Sequence, residues 1–345
     1  MLSACESIID LITLPEFRTL TDQSIPARDK VGGQYGFPQT IVFDFGICEN
    51  DQGELEPQLV EMQGFPSLYG FQAIYPDLLK EYFRIPDRYS QYLGGLDRHS
   101  FTALFSDTIL NGHAPENVIL LEIRPHDQKT RIDFYCTADL IGIRAVCLTE
   151  LIQEGNRLFY LRDGVKTRIE RIYNRVIFDE LHTRHDLGPV VDIRQDFEVT
   201  WVPHPDWFYR ISKYTLPFIH HPYVPQTFFL HEVKQLPADL HNYVLKPLFS
   251  FAGQGVIIDL TVQDIEAVKD PENWILQKKV KYADVIQTPA DPAKAEIRIM
   301  YLWKEGAPRP VPAINLARLS KGKMIGVRYN KDKEWVGGSV AFFER

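Results

Sequence analysis

Lys246 closes a short apolar run in YVLKPLFSFAGQGVIID, residues 243–259, and a glycine-bearing loop follows it. Gly253 and Gly255, on either side of Gln254, allow a backbone to approach anionic oxygens closely, and Lys246 supplies a point charge. That is the chemistry of a lid folded over a polyphosphate. It is not a Walker A loop, because the lysine precedes the glycines and an apolar strand, 256–258, is expected after them instead of a helix. An ordinary glycine turn in a β-hairpin has the same pattern. A second lysine, Lys213, lies in the apolar stretch RISKYTLPFI. The run WILQKKV, 274–280, reads as an apolar strand that ends in polar residues beside the lysine hairpin.

Oxygen donors gather elsewhere. TIVFDFGI (40–47) and QLVEMQG (58–64) read as two strands joined through an acidic turn containing DQG, so they are expected to pair antiparallel. Glu61 and Gln63 are two apart and share a strand face, and Asp44 on the neighbouring strand is placed to face them. Three oxygen ligands on adjacent strands suit Mg²⁺, which keeps several waters and bridges phosphate oxygens. A polar, solvated sheet face would carry the same residues.

These groups need a scaffold, and 345 residues suffice for two or three structural units. The hydrophobic share of 45% and charged share of 24% are those of an ordinary globular chain. A net charge of −8 argues against a nucleic-acid partner, whose footprint is basic. Four cysteines in no metal-like or paired spacing imply a reducing compartment. The first residues lack a basic leader, and no uncharged apolar run approaches the ~20 residues that span a bilayer. The expectation is therefore a cytoplasmic protein without a membrane partner.

After the acidic hairpin the pattern predicts a helix near 71–83. From about residue 100 helical and strand segments alternate: SFTALFSDTIL, NVILLEI at 117–123, and RIDFYCTADLIGIRAV, helical first and leading to a strand near Val146. RLFYL and RIERIYNRVI are expected to close this unit as a hairpin-like pair. The proline-bearing stretch at 186–206 reads as a junction. Beyond it the elements are mostly β, with helical signals at 212–220 and 261–268.

Together these motifs resemble the ATP-grasp superfamily, and their order resembles its circularly permuted branch, which includes glutathionylspermidine synthase-like ligases. There the strands bearing metal ligands, in a pattern D…E-x-N, precede the nucleotide-binding lobe. DFGICENDQGELEPQLVEMQG resembles that pattern, with Asp44, Glu61 and Gln63 in the three places. ISK at Lys213 resembles the first ATP lysine, VLKPLFSFAGQGV the second with its phosphate loop, and WILQKKV the strand that contacts adenine. EIRI, 296–299, resembles a strand whose arginine, Arg298, faces the phosphates.

The resemblance implies an α+β, ATP-grasp-like fold with a two-lobed nucleotide site and a Rossmann-like (pre-ATP-grasp) α/β unit, circularly permuted. It divides the chain at 1–95, 96–185 and 186–345: the segment bearing the metal ligands, the substrate unit and the nucleotide-binding region. It implies ATP and Mg²⁺ as cofactors. Lys213, Lys246, Gly253, Gln254 and Gly255 would hold phosphates, Gln277, Lys278 and Val280 would line an adenine slot, and Asp44, Glu61 and Gln63 would hold magnesium. Arg298 would act on the transferring group. The implied reaction joins a small-molecule or peptide carboxylate to an amine through an acyl phosphate. Arg171 and Arg175 are candidates for the acidic substrate, since a guanidinium fork suits a carboxylate; surface ion pairs would account for them equally.

Two positions depart from the branch. Gln63 stands where Asn is usual, and Val42 stands two residues before the first acid, where that branch often carries an oxyanion-steadying arginine; Arg298, Arg318 and Arg328 are possible substitutes. A nucleotide-binding protein that has kept the fold without the ligation is the alternative. HTRH at 182–185 and the pair His220–His221 lack a metal-binding pattern and read as solvated or capping histidines.

Overall fold

The computed structural model describes residues 1–33, 36–249, 255–322, 325 and 330–344. β-Branched and aromatic residues crowd the strand Thr40–Glu49, which is buried along nearly its whole length, as a central strand is when both sheet faces are covered. Its neighbour Leu55–Gln63 is mostly half-buried, with Leu59 and Met62 turned inward, and forms one sheet edge. Asn50 shapes the turn between them: its side-chain oxygen accepts from the N–H groups of Gln52 and Glu54, and Gly53 adopts a φ of 81°. The expected antiparallel pair is present.

Distant chain completes this sheet. Its five strands run in the order Gly337–Ser339, Val311–Ser320, Lys294–Leu302, Thr40–Glu49, Leu55–Gln63, every pair antiparallel. One face, with Ile41, Phe43, Phe45 and Met62, packs on the N-terminal helix Leu2–Thr13 and on Trp207. The opposite face presents Val42, Met300 and Leu316 to Tyr69, Phe101 and Phe105, which come from the helices Tyr69–Tyr82 and Arg98–Leu110. Two residues further along each strand, the same face carries Asp44, Arg298 and Arg318. Apolar packing thus holds one end of the strands while charged groups occupy the other.

The α/β unit follows local signals. Asp97 and Ser100 cap the helix Arg98–Leu110 reciprocally. Strand Val118–Glu122, helix Arg131–Ile141 and strand Arg144–Cys147 form a parallel unit, with Gly142 ending the helix at a φ of 78°. Arg171–Asn174 and Thr200–Val202 extend it to four parallel strands. Thr200–Val202 therefore belongs to this sheet although it falls in the stretch expected to be a junction. The expected hairpin also divides differently. Arg157–Arg162 pairs with Val165–Ile169, whereas Arg171–Asn174 crosses to the parallel sheet, the Glu170 N–H donating to the Asn117 carbonyl where the chain changes sheets.

A three-stranded sheet, Thr227–Phe229, Trp274–Lys278, Tyr243–Pro247, contains the lysine strand at one edge. The segment at 256–258 is not a strand. Among the described residues only Leu245 and Ile257 pair here, exchanging hydrogen bonds of 3.0 and 2.9 Å. Gly253 and Gln254 lie outside the described residues; Gly255, with a φ of 74°, re-enters them. All four cysteines are free and buried. Among the described residues no helix is long and apolar enough to cross a membrane.

Candidate functional site

Strand register assembles the charged end of the five-stranded sheet. Asp44 stands directly opposite Glu61 on one neighbour and Arg298 on the other, and Glu296 stands opposite Arg318. Arg298 grips Asp44 with both arms, Nε to Oδ1 at 2.6 Å and a terminal nitrogen to Oδ2 at 2.7 Å, while its other terminal nitrogen donates to Ser67 at 2.6 Å. Arg318 reaches Oδ2 of Asp44 and Oε2 of Glu296, each at 2.7 Å, with the same terminal nitrogen. Burial alone would raise the Asp44 carboxyl, but the two guanidinium groups outweigh it and hold the acid ionised below its ordinary range. Glu296 goes the other way: burial, with the Asp44 charge added, raises it despite Arg318.

Gly46, opposite Glu296, makes room for one wall of the site. A Cβ there would stand 2.6 Å from Cε1 of Tyr282, whose hydroxyl donates to Glu296. Gly46→Ala should displace the ring and destabilise the protein by about 1–3 kcal/mol. The expected reading is a lower urea midpoint with an unchanged slope; an unmoved midpoint would show that the ring does not depend on this space.

The lysines meet across a cavity of about 210 Å³ between this sheet and the three-stranded one. Lys246, on Tyr243–Pro247, donates to Oε1 of Gln277 at 2.6 Å, and Gln277 in turn donates to Thr227 at 3.0 Å. Gln277, expected to line an adenine slot, thus commits its side-chain oxygen to Lys246. Lys213, buried at the start of the 3₁₀ helix Lys213–Phe218, approaches Glu61 at 3.9 Å. Lys278 and Val280 line the same cavity, with Val60, Val244, Val256 and Ile258 as apolar walls. Burial, reinforced by Lys213, lowers the Lys246 ammonium to about 8, against the pull of Glu61 and Glu296.

A second cavity of about 310 Å³ adjoins it, with Glu61, Lys213 and Arg318 in both linings. Gln63, Ser67, Arg298 and Arg175 face this chamber, as do Glu122, Gln128 and Glu180 from the α/β unit. Arg175 is buried, donates to the Pro66 carbonyl and lies over the Phe65 ring at 5.4 Å. Burial raises Glu122 to about 7, although Arg175 and the Ile123 N–H oppose it.

Arg171 lies elsewhere. It is fully buried, donates to the Ile109 carbonyl and pairs with Glu305 at 2.7 Å. His182 is held by Asp29 at 2.6 Å, and His221 accepts from the Tyr223 N–H. Val42 is fully buried in the apolar cluster with Tyr69 and Met300, whereas Arg298 and Arg318 stand in the cleft; Arg328 is outside the described residues. Sequence reasoning missed Glu296, although EIRI places it on the Arg298 face by simple alternation. It also missed Glu122 and Tyr282, which no local pattern marks.

The donor set does not fit a divalent ion at Asp44. Mg²⁺ needs oxygens at ~2.1 Å in octahedral array, and both Asp44 oxygens already accept from guanidinium groups on a side chain 1% exposed. Gln63 faces the second chamber instead. Among the described residues no group of three or more His, Cys, Asp or Glu side chains is arranged to hold a metal.

No protein family and no curated protein matches the sequence. Among solved structures, a glutathione synthetase-like effector (GSS30) from Globodera pallida, in its apo form, matches with a TM-score of 0.56, covering 92% of this chain and 84% of that one at 13% identity. At that identity the likeness concerns architecture alone: the chain is an α+β protein whose architecture is similar to that of this effector.

Proposed function

We propose that the cleft binds an ATP-type nucleotide beside a carboxylate-bearing small molecule or peptide, in the arrangement of an ATP-dependent carboxylate–amine ligase. The observation that carries this reading is the convergence of Lys213 and Lys246, from separate elements, on one cavity with apolar walls. Apolar side chains in its walls suit a planar base, and two cations in its lining suit phosphates. The second chamber, with Arg175 and Arg298 beside the shared Lys213, suits the acid that would receive the γ-phosphoryl group. Its acidic side chains, Glu122 and Glu180, suit an incoming amine. In such transfer the protein mainly positions the reactants and neutralises charge, and these side chains can do both. The apo-form neighbour bears a glutathione synthetase-like name, which favours the same class.

A second reading, nucleotide binding without ligation, is favoured by two observations. Val42 is sealed in the core, and Asp44 is committed to two arginines.

The test is thermal unfolding with ATP, ADP or AMP, followed by ADP release against pools of amino acids, peptides and polyamines. At a hundredfold excess over the dissociation constant, ATP should stabilise the protein by ~2.7 kcal/mol. No shift with any nucleotide would sink the nucleotide site. A shift without ADP release in any pool would select the second reading.

A further inference from the structure

We infer that the guanidinium of Arg318 stands in the cleft where a divalent cation would have to sit, and that the site takes a polyphosphate on protein cations alone. This rests on the nucleotide reading above. A terminal nitrogen of Arg318 lies 2.7 Å from Oδ2 of Asp44 and 2.7 Å from Oε2 of Glu296. It bridges two carboxylates on different strands, as a metal ion would, but at hydrogen-bond length. Arg298 occupies the remaining oxygen of Asp44 at 2.6 Å. An ion entering here would have to strip both guanidinium groups from a buried acid.

Charge balance points the same way. Among the described residues Lys213, Lys246, Lys278, Lys279, Arg175, Arg298 and Arg318 meet Asp44, Glu61, Glu122, Glu180 and Glu296 around the two chambers. Seven cations against five acids favour an arriving anion over a dication. The guanidinium groups of Arg298 and Arg318 stay charged at any working pH, so this neutralisation is permanent. Arg318 also lines both chambers, which places its charge between the nucleotide cavity and the second one.

The test uses Mn²⁺ and ATP on the whole protein. Electron paramagnetic resonance should show no Mn²⁺ removed from solution by the wild type without nucleotide. Arg318→Gln, which removes the charge bridging Asp44 and Glu296 and leaves Asp44 to Arg298 alone, should take up Mn²⁺. ATP should bind the wild type in EDTA within about twofold of its affinity in Mg²⁺, or more tightly. Binding strengthened by about tenfold or more in Mg²⁺ would overturn the inference while leaving the nucleotide site standing. So would Mn²⁺ retained by the wild type alone. If ATP binds in neither condition, the nucleotide reading fails by itself. The wild-type Mn²⁺ measurement then still decides what Arg318 does, and it also decides if Arg318→Gln does not fold.

Discussion

Asp44→Ala should destabilise the protein by about 3–5 kcal/mol, the cost of stranding a buried cation whose partner is removed. Arg298 is almost wholly buried and would keep only Ser67; Arg318 would keep Glu296. Asp44→Asn should fall between the two, because an amide can still accept from one guanidinium but offers no charge. Urea unfolding measures both. The acid limb of the stability curve gives an independent reading. The Asp44 carboxyl is held below the 3.8 of an ordinary aspartate. Its contribution is therefore present above that value and is lost as pH falls through the lower folded one. Asp44→Ala should flatten that limb. A variant as stable as the wild type would show that Asp44 does not anchor the sheet, and would return it to the role of an exchangeable ligand.

The second large effect belongs to Lys246. Lys246→Met should weaken ATP binding by about 10- to 100-fold, since hydrogen bonds to charged groups are worth ~1.5–3 kcal/mol. Burial holds the ammonium at about 8, so near pH 8 the site is only partly protonated. A polyphosphate favours the charged form, raises that value and draws a proton in as it binds. Calorimetry at pH 8 in two buffers of different ionisation heat should show net uptake in the wild type that is missing from the variant. At pH 6.5 the lysine is already charged, and the difference between the two proteins should vanish. Equal uptake by both at pH 8 would remove Lys246 from the phosphate site. The unliganded protein carries the matching sign. Between about 8 and the ordinary 10.5 the unfolded lysine binds more protons than the folded one. Folding stability from this group therefore rises with pH across that window.

Much of this cleft is legible in the chain. Strand alternation gives Glu61 and Gln63 a common face, and likewise Val42 and Asp44, and the DQG turn signals that these strands pair, which brings all four to one side of the sheet. The apolar runs around Lys246 and at WILQKKV are strands because their β-branched and aromatic residues pack best on a pleated, covered surface. Asp97 with Ser100, and Gly142, fix the ends of helices in the α/β unit through contacts a few residues apart. Each of these signals is local, and each is carried by residues that meet because the backbone has a fixed period.

Other features become visible only once distant strands are side by side. Asp44 is bound by arginines more than 250 residues further along the chain, and nothing near it in sequence shows that its oxygens are taken. The space at Gly46 has meaning only with Tyr282 lying in it. Arg171 and Arg175 look alike in sequence, yet one is locked to Glu305 and the other faces the second chamber, because a β-strand of the parallel sheet ends between them. The sequence by itself determined most of the runs that form strands and which groups can carry charge. The tertiary structure decided which charges neutralise one another, because the pairing of an ion in a buried site depends on what the register of non-neighbouring strands places within about 3 Å of it.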